Sequence, residues 1–99
     1  MLRLLGLARR AGSLITGSEA VKGATRSGSL SAVVFARDAS ANAHRRIEPA
    51  LEREGVRWSE CGVRTTLGAA VGKGPLAVVG ITDAALARTV LGRLEARRR

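Results

Sequence analysis

The spacing of hydrophobic and polar positions predicts helices and strands that alternate along the chain. Apolar residues between Leu2 and Ala11 recur every three or four positions, as on one face of a helix, and Gly12 ends the pattern. Two nearly continuous apolar runs, at 30–36 and 76–82, indicate strands that are covered on both faces. The same reasoning predicts short strands at 14–15 and 56–61 and further helices at 16–28, 38–55, 65–71 and from 83 onward.

Local signals set several of the predicted helix boundaries. The segment Thr16-Gly17-Ser18-Glu19 matches a capping box at the start of the second helix. Asp38 or Ser40 can cap the third helix, and Asp83 can cap the last one. Pro49 lies within the third helix, where its missing N–H costs about 3 kcal/mol, so we expect a kink or a late start there.

The alternation of elements also predicts the fold class. Because each buried strand needs cover above and below, the chain is expected to form an α/β fold, a three-layer α/β/α sandwich. A chain of 99 residues holds one core. We therefore expect a single domain over residues 1–96, followed by a basic tail, residues 97–99, that is frayed rather than packed.

The composition restricts where the protein acts. No apolar run approaches the roughly 20 residues that cross a bilayer, and the N-terminal segment lacks the pattern of a signal peptide. Cys61 is the single cysteine, which excludes an internal disulfide. We expect a cytoplasmic protein without a membrane partner.

The charge balance points to a polyanionic partner. The chain has 17 Lys and Arg against 8 Asp and Glu, a formal net charge of +9, and its basic residues are arginines except for Lys22 and Lys73. A GC-rich genome would also raise the share of arginine. Phe35 and Trp58 are the only aromatic rings, and we expect Trp58 in the core, so base-stacking platforms are disfavoured. These features favour recognition of the shape and backbone of RNA, with no preference for DNA.

Enzymatic constellations are weak or missing in the sequence. The stretch from Gly68 to Gly74 resembles a phosphate-binding loop, but it has three residues between its first two glycines instead of four, and Gly74 follows Lys73 where Ser or Thr is needed. Nothing places Cys61 beside His44, which we expect to be a solvated helix residue. We predict no catalytic residues, no metal site and no cofactor.

Several motifs in their order along the chain carry a resemblance to a known family. They are Leu4-Leu5-Gly6-Leu7-Ala8-Arg9-Arg10-Ala11-Gly12, Gly17-Ser18-Glu19-Ala20-Val21, Arg26-Ser27-Gly28, Asp38-Ala39-Ser40-Ala41-Asn42, Leu67-Gly68-Ala69-Ala70-Val71-Gly72-Lys73 and Val79-Gly80-Ile81-Thr82-Asp83. With these motifs the chain resembles the L-seven-Ae family of ribosomal and kink-turn RNA-binding proteins, and in particular its small bacterial YlxQ-type branch. The resemblance implies a four-stranded mixed sheet between helices, with RNA held at one end by two loops.

The first of these loops is the turn into the second helix. In family members that bind kink-turns, the pattern Gly-x-Asn-Glu-x-x-Lys reads guanine edges there, and it falls on residues 17–23 of this chain. Glu19 and Ala20 replace the Asn and the Glu, and a carboxylate cannot donate to guanine N7 or O6. Gly17 lets the backbone approach a ligand, and the free N–H groups that follow it point outward. The residues expected to contact RNA here are Gly17, Ser18, Glu19, Ala20, Lys22 and Arg26.

The second loop precedes the last strand and consists of Lys73, Gly74 and Pro75. Many relatives have an apolar side chain there, whereas Lys73 suggests a phosphate contact, which supplies affinity without sequence information. Arg37 takes a place where the family commonly has Glu, and it adds positive charge near the same edge. Both changes favour binding that is driven by charge.

Two functional hypotheses follow from the sequence. The first is a non-catalytic protein that binds structured RNA, such as rRNA or a kink-turn-like element, as a ribosomal-protein-like factor. The alternative is a protein-interaction module on the same fold, with weak or no specific RNA binding. The first hypothesis requires that the loop at Gly17 and the loop at Lys73 meet at one cationic edge.

Overall fold

Five helices and four strands alternate along the chain in the predicted order. A computed structural model describes residues 2–98 and, for side chains, residues 2–96. The helices are α1 (Leu2–Arg10), α2 (Ser18–Arg26), α3 (Ala41–Glu54), α4 (Arg64–Ala70) and α5 (Ala84–Arg98). The strands are β1 (Leu14–Thr16), β2 (Ala32–Phe35), β3 (Arg57–Glu60) and β4 (Val78–Ile81).

The four strands form one mixed sheet in the order β1-β4-β2-β3. β4 pairs antiparallel with β1 and with β2, whereas β2 and β3 are parallel. Thr16 lies opposite Val79, and Phe35 lies opposite both Val78 and Glu60. Consequently β1, β2 and β3 all finish where β4 begins, and we call this end of the sheet the loop end.

The alternation of side chains along the central strands builds a core on each face of the sheet. On one face, α1, α4 and α5 cover Ala32 and Val34 of β2 together with Val79 and Ile81 of β4. On the other face, α2 and α3 cover the residues of opposite parity, Val33, Phe35 and Val78. β2 and β4 are buried along their whole length, as their apolar runs predicted. The three-layer α/β/α sandwich with a mixed four-stranded sheet is therefore confirmed.

The start of α2 differs from the prediction. Thr16 belongs to β1, where it pairs with Val79, so it is not available to cap the helix. Gly17 is the N-cap instead, with φ 94°, and no side chain caps the first turn. The predicted capping box is therefore wrong, because pairing with a distant strand fixes Thr16 in the sheet.

The caps of the later helices follow the sequence more closely. Ser40 is the N-cap of α3 and accepts a hydrogen bond from the N–H of Ala43 at 3.1 Å. Asp83 accepts from the N–H of Leu86 at 2.9 Å, which confirms the predicted cap of α5. α3 begins at Ala41 and continues through Pro49, so the expected late start is wrong. Pro49 is exposed, where water can satisfy the carbonyl that loses its helical partner.

Two ring-bearing residues differ from their predicted environments, Trp58 because β3 is an edge strand and His44 because its ring packs on Phe35. Trp58 is 37% exposed rather than buried, and its ring meets that of Phe35 edge-on at 5.2 Å. His44 is not a solvated helix residue, because it is half-buried and stacks on Phe35 at 4.1 Å. Cys61 is buried, as expected of a small core residue.

The C-terminal helix reaches into the predicted basic tail. Residues 97–98 continue α5, and Arg99 lies outside the described residues. Within residues 2–98, no helix is both long and apolar enough to span a bilayer.

Candidate functional site

Backbone hydrogen bonds tie the turns at the loop end to one another. The N–H of Gly17, at the start of α2, donates to the carbonyl of Val78 at 3.2 Å. The N–H of Ala36, after β2, donates to the carbonyl of Ala77 at 2.8 Å, and that of Arg37 donates to Gly62, after β3, at 2.8 Å. The turns that precede α2, α3 and α4 are thus held in fixed positions around the start of β4.

The first turn of α2 presents backbone donors at this end. Gly17 has a positive φ, and it contributes no side-chain oxygen to the helix start. The amides of Ser18, Glu19 and Ala20 lie in the first turn, where an α-helix has no internal acceptors for its N–H groups. The positive end of the helix dipole adds to these donors, so this turn favours an anionic or acceptor-rich ligand.

An open groove lies between the starts of α2 and α3. It has a volume of about 330 Å³ and is lined by Ser18, Ser40, Asn42, Ala43, Arg46 and Ala77. Its polar groups are two hydroxyls, an amide and a guanidinium, which together can bond to phosphate oxygens or to the edge of a base. No carboxylate is among the described residues that line this groove.

Glu19 is close to this groove, and its carboxylate pairs with the guanidinium of Arg46. The Arg46 Nη1 atom donates to Glu19 Oε1 at 3.0 Å, across from α3 to α2. Both side chains are largely exposed, 51% for Arg46 and 80% for Glu19. The pair therefore holds the guanidinium beside the groove without burying it.

Only some of the α2 residues that were predicted to contact RNA lie at this groove. Ser18 lines it and Gly17 precedes it, whereas Ala20 is exposed and Lys22 is half-buried further along the helix. Arg26 lies in the last turn of α2, about 12 Å from Ser18 along the helix axis. Arg26 is thus separated from the first turn that it was expected to assist.

The loop before β4 lies against α4, in the opposite layer from α2. The N–H of Lys73 donates to the carbonyl of Gly68 at 2.8 Å, and Lys73, Gly74 and Pro75 are all exposed. A Cβ atom at Gly68 would lie only 2.7 Å from the Gly74 carbonyl carbon, so the loop can pack here only against a glycine. The three loop residues do not line the groove, but Ala77, two residues after Pro75, does.

The two predicted loops therefore approach the start of β4 from the two sides of the sheet. Gly17 bonds directly to Val78, and the 73–75 loop leads into the same strand. Arg37 is exposed at this end, after β2. The carboxylate of Asp38 is also here, but it accepts from the backbone N–H of Arg64 at 2.7 Å and pairs with its side chain.

The fold recurs in a solved structure of a protein of unknown function from Bacillus halodurans C. That structure superimposes with a TM-score of 0.90 at 32% sequence identity, and the match covers 95% of each chain. This chain belongs to the same family as the Bacillus halodurans protein.

Two further proteins, one similar in sequence and one similar in fold, have names that state a ligand. The chain is 29% identical over 92 residues to the RNA-binding protein YlxQ of Bacillus subtilis, covering 93% of this chain and 92% of that protein. It shares its fold with the 15.5kD RNA-binding protein of Giardia lamblia, with a TM-score of 0.79 at 20% identity over 96% of this chain and 84% of that one. No family model matches the chain.

The sequence missed the wall of the groove that α3 contributes. Ser40 was predicted only as a helix cap, while Asn42 and Arg46 were not proposed as ligand contacts. The available signal was their spacing, since Asn42 and Arg46 are four residues apart and thus share one face of a helix. What the spacing did not show is that this face meets the start of α2.

Proposed function

We propose that this chain binds structured RNA without catalysing a reaction, through the groove and loops at the loop end of its sheet. The observation that carries the proposal is the set of donors from α2 and α3 that converge on one groove beside the start of β4. The names of the Bacillus subtilis and Giardia lamblia proteins, and the net charge of +9, support RNA as the ligand.

The groove is chemically suited to a sugar-phosphate backbone. Free N–H groups at the start of α2, the hydroxyls of Ser18 and Ser40 and the guanidinium of Arg46 are the donors that usually bind phosphate oxygens. Asn42 adds an amide that both donates and accepts, which a base edge can match. We infer that Glu19 orients Arg46 for this contact, a role that differs from the direct RNA contact expected of Glu19.

The two-sided arrangement favours a bent or kinked RNA over a straight helix. The groove lies in the layer of α2 and α3, and Lys73 lies in the layer of α4. A bent RNA could therefore place one of its strands on each side of β4 and contact both the groove and Lys73. Together with the resemblance to the L-seven-Ae family, this supports rRNA or a kink-turn-like element as the target. We propose that the protein acts in the cytoplasm as a ribosomal-protein-like factor.

Filter binding over a salt series tests the proposal. The ligands are a kink-turn RNA, a plain hairpin, rRNA fragments and a DNA duplex as a comparison. We expect a log-log salt slope of roughly −2 to −4 for the structured RNAs, because three to five phosphates would be neutralised. The triple change Lys22→Gln, Arg37→Gln and Lys73→Gln should weaken binding about tenfold and make the slope shallower.

A charge-matched control separates a local interface from general attraction. Changing Arg53, Arg88 and Arg93 to Gln removes the same charge from α3 and α5, and these side chains are exposed. This control should retain most of the affinity. Absence of RNA binding by the unchanged protein at low salt would contradict the proposal and leave the protein-interaction module as the better hypothesis.

A further inference from the structure

A second cationic pocket lies where α1 meets the C-terminal end of α4. Its volume is about 390 Å³, and α1 lines it with Arg3, Leu7 and Arg10, which lie on one face of the helix. Gly6 lies between them at the point of closest approach, because a Cβ atom there would be 2.9 Å from the carbonyl oxygen of Ala70. We call this site the arginine pocket.

The arginine pocket reaches the loop that carries Lys73. Gly72 lines the pocket with φ +71°, and a Cβ atom at this position would lie 3.1 Å from the Nη1 atom of Arg9. The guanidinium of Arg9 therefore covers the backbone of Gly72, directly before Lys73. As a result the positive charge of α1 continues into the proposed RNA-binding loop.

No carboxylate among the described residues pairs with the three arginines of this pocket. Residues 2–18 and 61–82 contain no Asp or Glu, so neither α1 nor α4 supplies a carboxylate. Among the described residues, Arg3, Arg9 and Arg10 form no ion pair, and they differ from other unpaired arginines in that all three line one cavity. Three cations around one cavity repel each other, and a bound anion relieves that repulsion.

We propose that the arginine pocket binds consecutive backbone phosphates of the same RNA, about one for each of its arginines, in a segment that continues from the 73–75 loop. This inference rests on the proposed function and adds a second contact region to it. Guanidinium forks match phosphate oxygens bidentately. Leu7, 53% exposed, offers an apolar surface for the adjoining sugar or base.

Substitutions that remove positive charge from the arginine pocket test this second contact. The triple change Arg3→Gln, Arg9→Gln and Arg10→Gln is compared with Arg53→Gln, Arg88→Gln and Arg93→Gln, which removes equal charge elsewhere. The ligand is a kink-turn RNA with both flanking stems extended by one helical turn. We expect the α1 triple to lose about tenfold in affinity or more and to make the salt slope about two to three units shallower. The control should change the slope by less than about one unit.

A tethered cleavage probe locates the RNA directly. Leu7→Cys provides an exposed thiol for an iron chelate that cleaves nearby RNA, while the native Cys61 is buried. We expect cuts at a discrete position in the RNA, unlike those from a probe on Arg88→Cys. If the pocket instead takes free phosphate, adding inorganic phosphate should stabilise the protein thermally, and the RNA cuts should be absent.

The outcomes distinguish the two proposals. If the unchanged protein binds no RNA, the proposed function fails and the arginine pocket loses its ligand. If the Lys22, Arg37 and Lys73 triple weakens binding but the α1 triple matches its control and Leu7→Cys gives no specific cuts, only the second contact is wrong. Unfolding curves of each variant check that these exposed substitutions leave the fold intact.

Discussion

Two regions of the molecule carry their charges in opposite ways. Around α3, basic and acidic residues alternate: Arg46 pairs with Glu19 at 3.0 Å, and Glu48 is hydrogen-bonded to the His44 ring at 2.8 Å. The surface formed by α1 and α4 has arginines but no carboxylate on either helix. The net charge of the chain is thus concentrated toward one side.

Local helix energetics explain only part of the α1 surface, because the helix dipole stabilises Arg9 and Arg10 in the last turn but not Arg3 in the first. A cation in the first turn of a helix is opposed by the helix dipole, and α1 has Arg3 there, with no acidic residue to offset it. Exposed ion pairs contribute only about 0 to 1 kcal/mol, so the pairs around α3 are not needed for folding either. The difference teaches that the clustering of arginines without a carboxylate on either helix, and not the lack of a pair at a single arginine, is what favours an anionic ligand at α1, whereas the pair with Glu19 holds Arg46 in position.

The largest effect on stability should come from placing a side chain where α4 contacts the 73–75 loop. In Gly68→Ala the new Cβ would clash with the backbone of Gly74, so either the loop must leave α4 or α4 must shift. We expect a loss of about 2 to 3 kcal/mol in the free energy of unfolding, measured by urea denaturation. RNA affinity should also fall, because Lys73 and Gly72 move with the loop.

Gly92→Ala is the matched control for this change. Gly92 lies within α5, and a Cβ atom there would meet nothing within 4 Å. Alanine should therefore stabilise the protein by about 0.5 to 1 kcal/mol, because glycine is the poorer helix former. If both variants were equally stable, the close packing of the loop on Gly68 would have no energetic consequence.

The sequence predicted those features that depend on neighbours along the chain. The apolar runs at 30–36 and 76–82 became buried strands, and Asp83 caps α5 as its position suggested. Both results follow from local patterning, since the period of burial and the cap are set within a few residues.

Features that depend on distant partners were not predictable in the same way. Thr16 seemed free to cap α2, but it pairs with Val79, 63 residues away. Trp58 seemed to be a core residue, but strand order places β3 at the edge of the sheet. The groove and the arginine pocket each combine two helices, so spacing within one helix indicated only half of either site.

A carboxylate added to α1 would make its surface resemble the paired region around α3. Leu7→Glu places an acid one turn from both Arg3 and Arg10, inside the arginine pocket. Relative to Leu7→Gln, we expect a gain of about 0.2 to 0.5 kcal/mol in stability from these helical pairs. RNA affinity in filter binding should fall about tenfold, because the new charge repels phosphate.

Leu7→Gln separates the charge from the loss of the leucine side chain. It has nearly the same shape as Leu7→Glu, and it should lose only the contribution of the apolar leucine contact, so its affinity should lie between those of the unchanged protein and Leu7→Glu. Equal RNA affinity of the two variants would indicate that the arginine pocket lies outside the RNA interface, whatever their stabilities.

We expect the smallest effect from a substitution that removes a charge from the region around α3. Glu19→Gln removes the negative charge beside the groove but keeps a side-chain oxygen that can still accept from Arg46 and orient it. If Glu19 only orients Arg46, affinity for all structured RNAs should rise about threefold, with a steeper salt slope, because electrostatic attraction increases. Stability should fall by no more than about 1 kcal/mol, because the carboxylate leaves the first turn of α2.

Glu52→Gln provides the matched change, since Glu52 is exposed near the far end of α3 and loses the same charge. It should alter affinity less than Glu19→Gln does. A loss of affinity confined to the kink-turn RNA in Glu19→Gln would contradict the orienting role, because it would mean that the carboxylate itself accepts a hydrogen bond from a base. In that case Glu19 would contact an RNA base directly, although it is part of an ion pair in the region around α3.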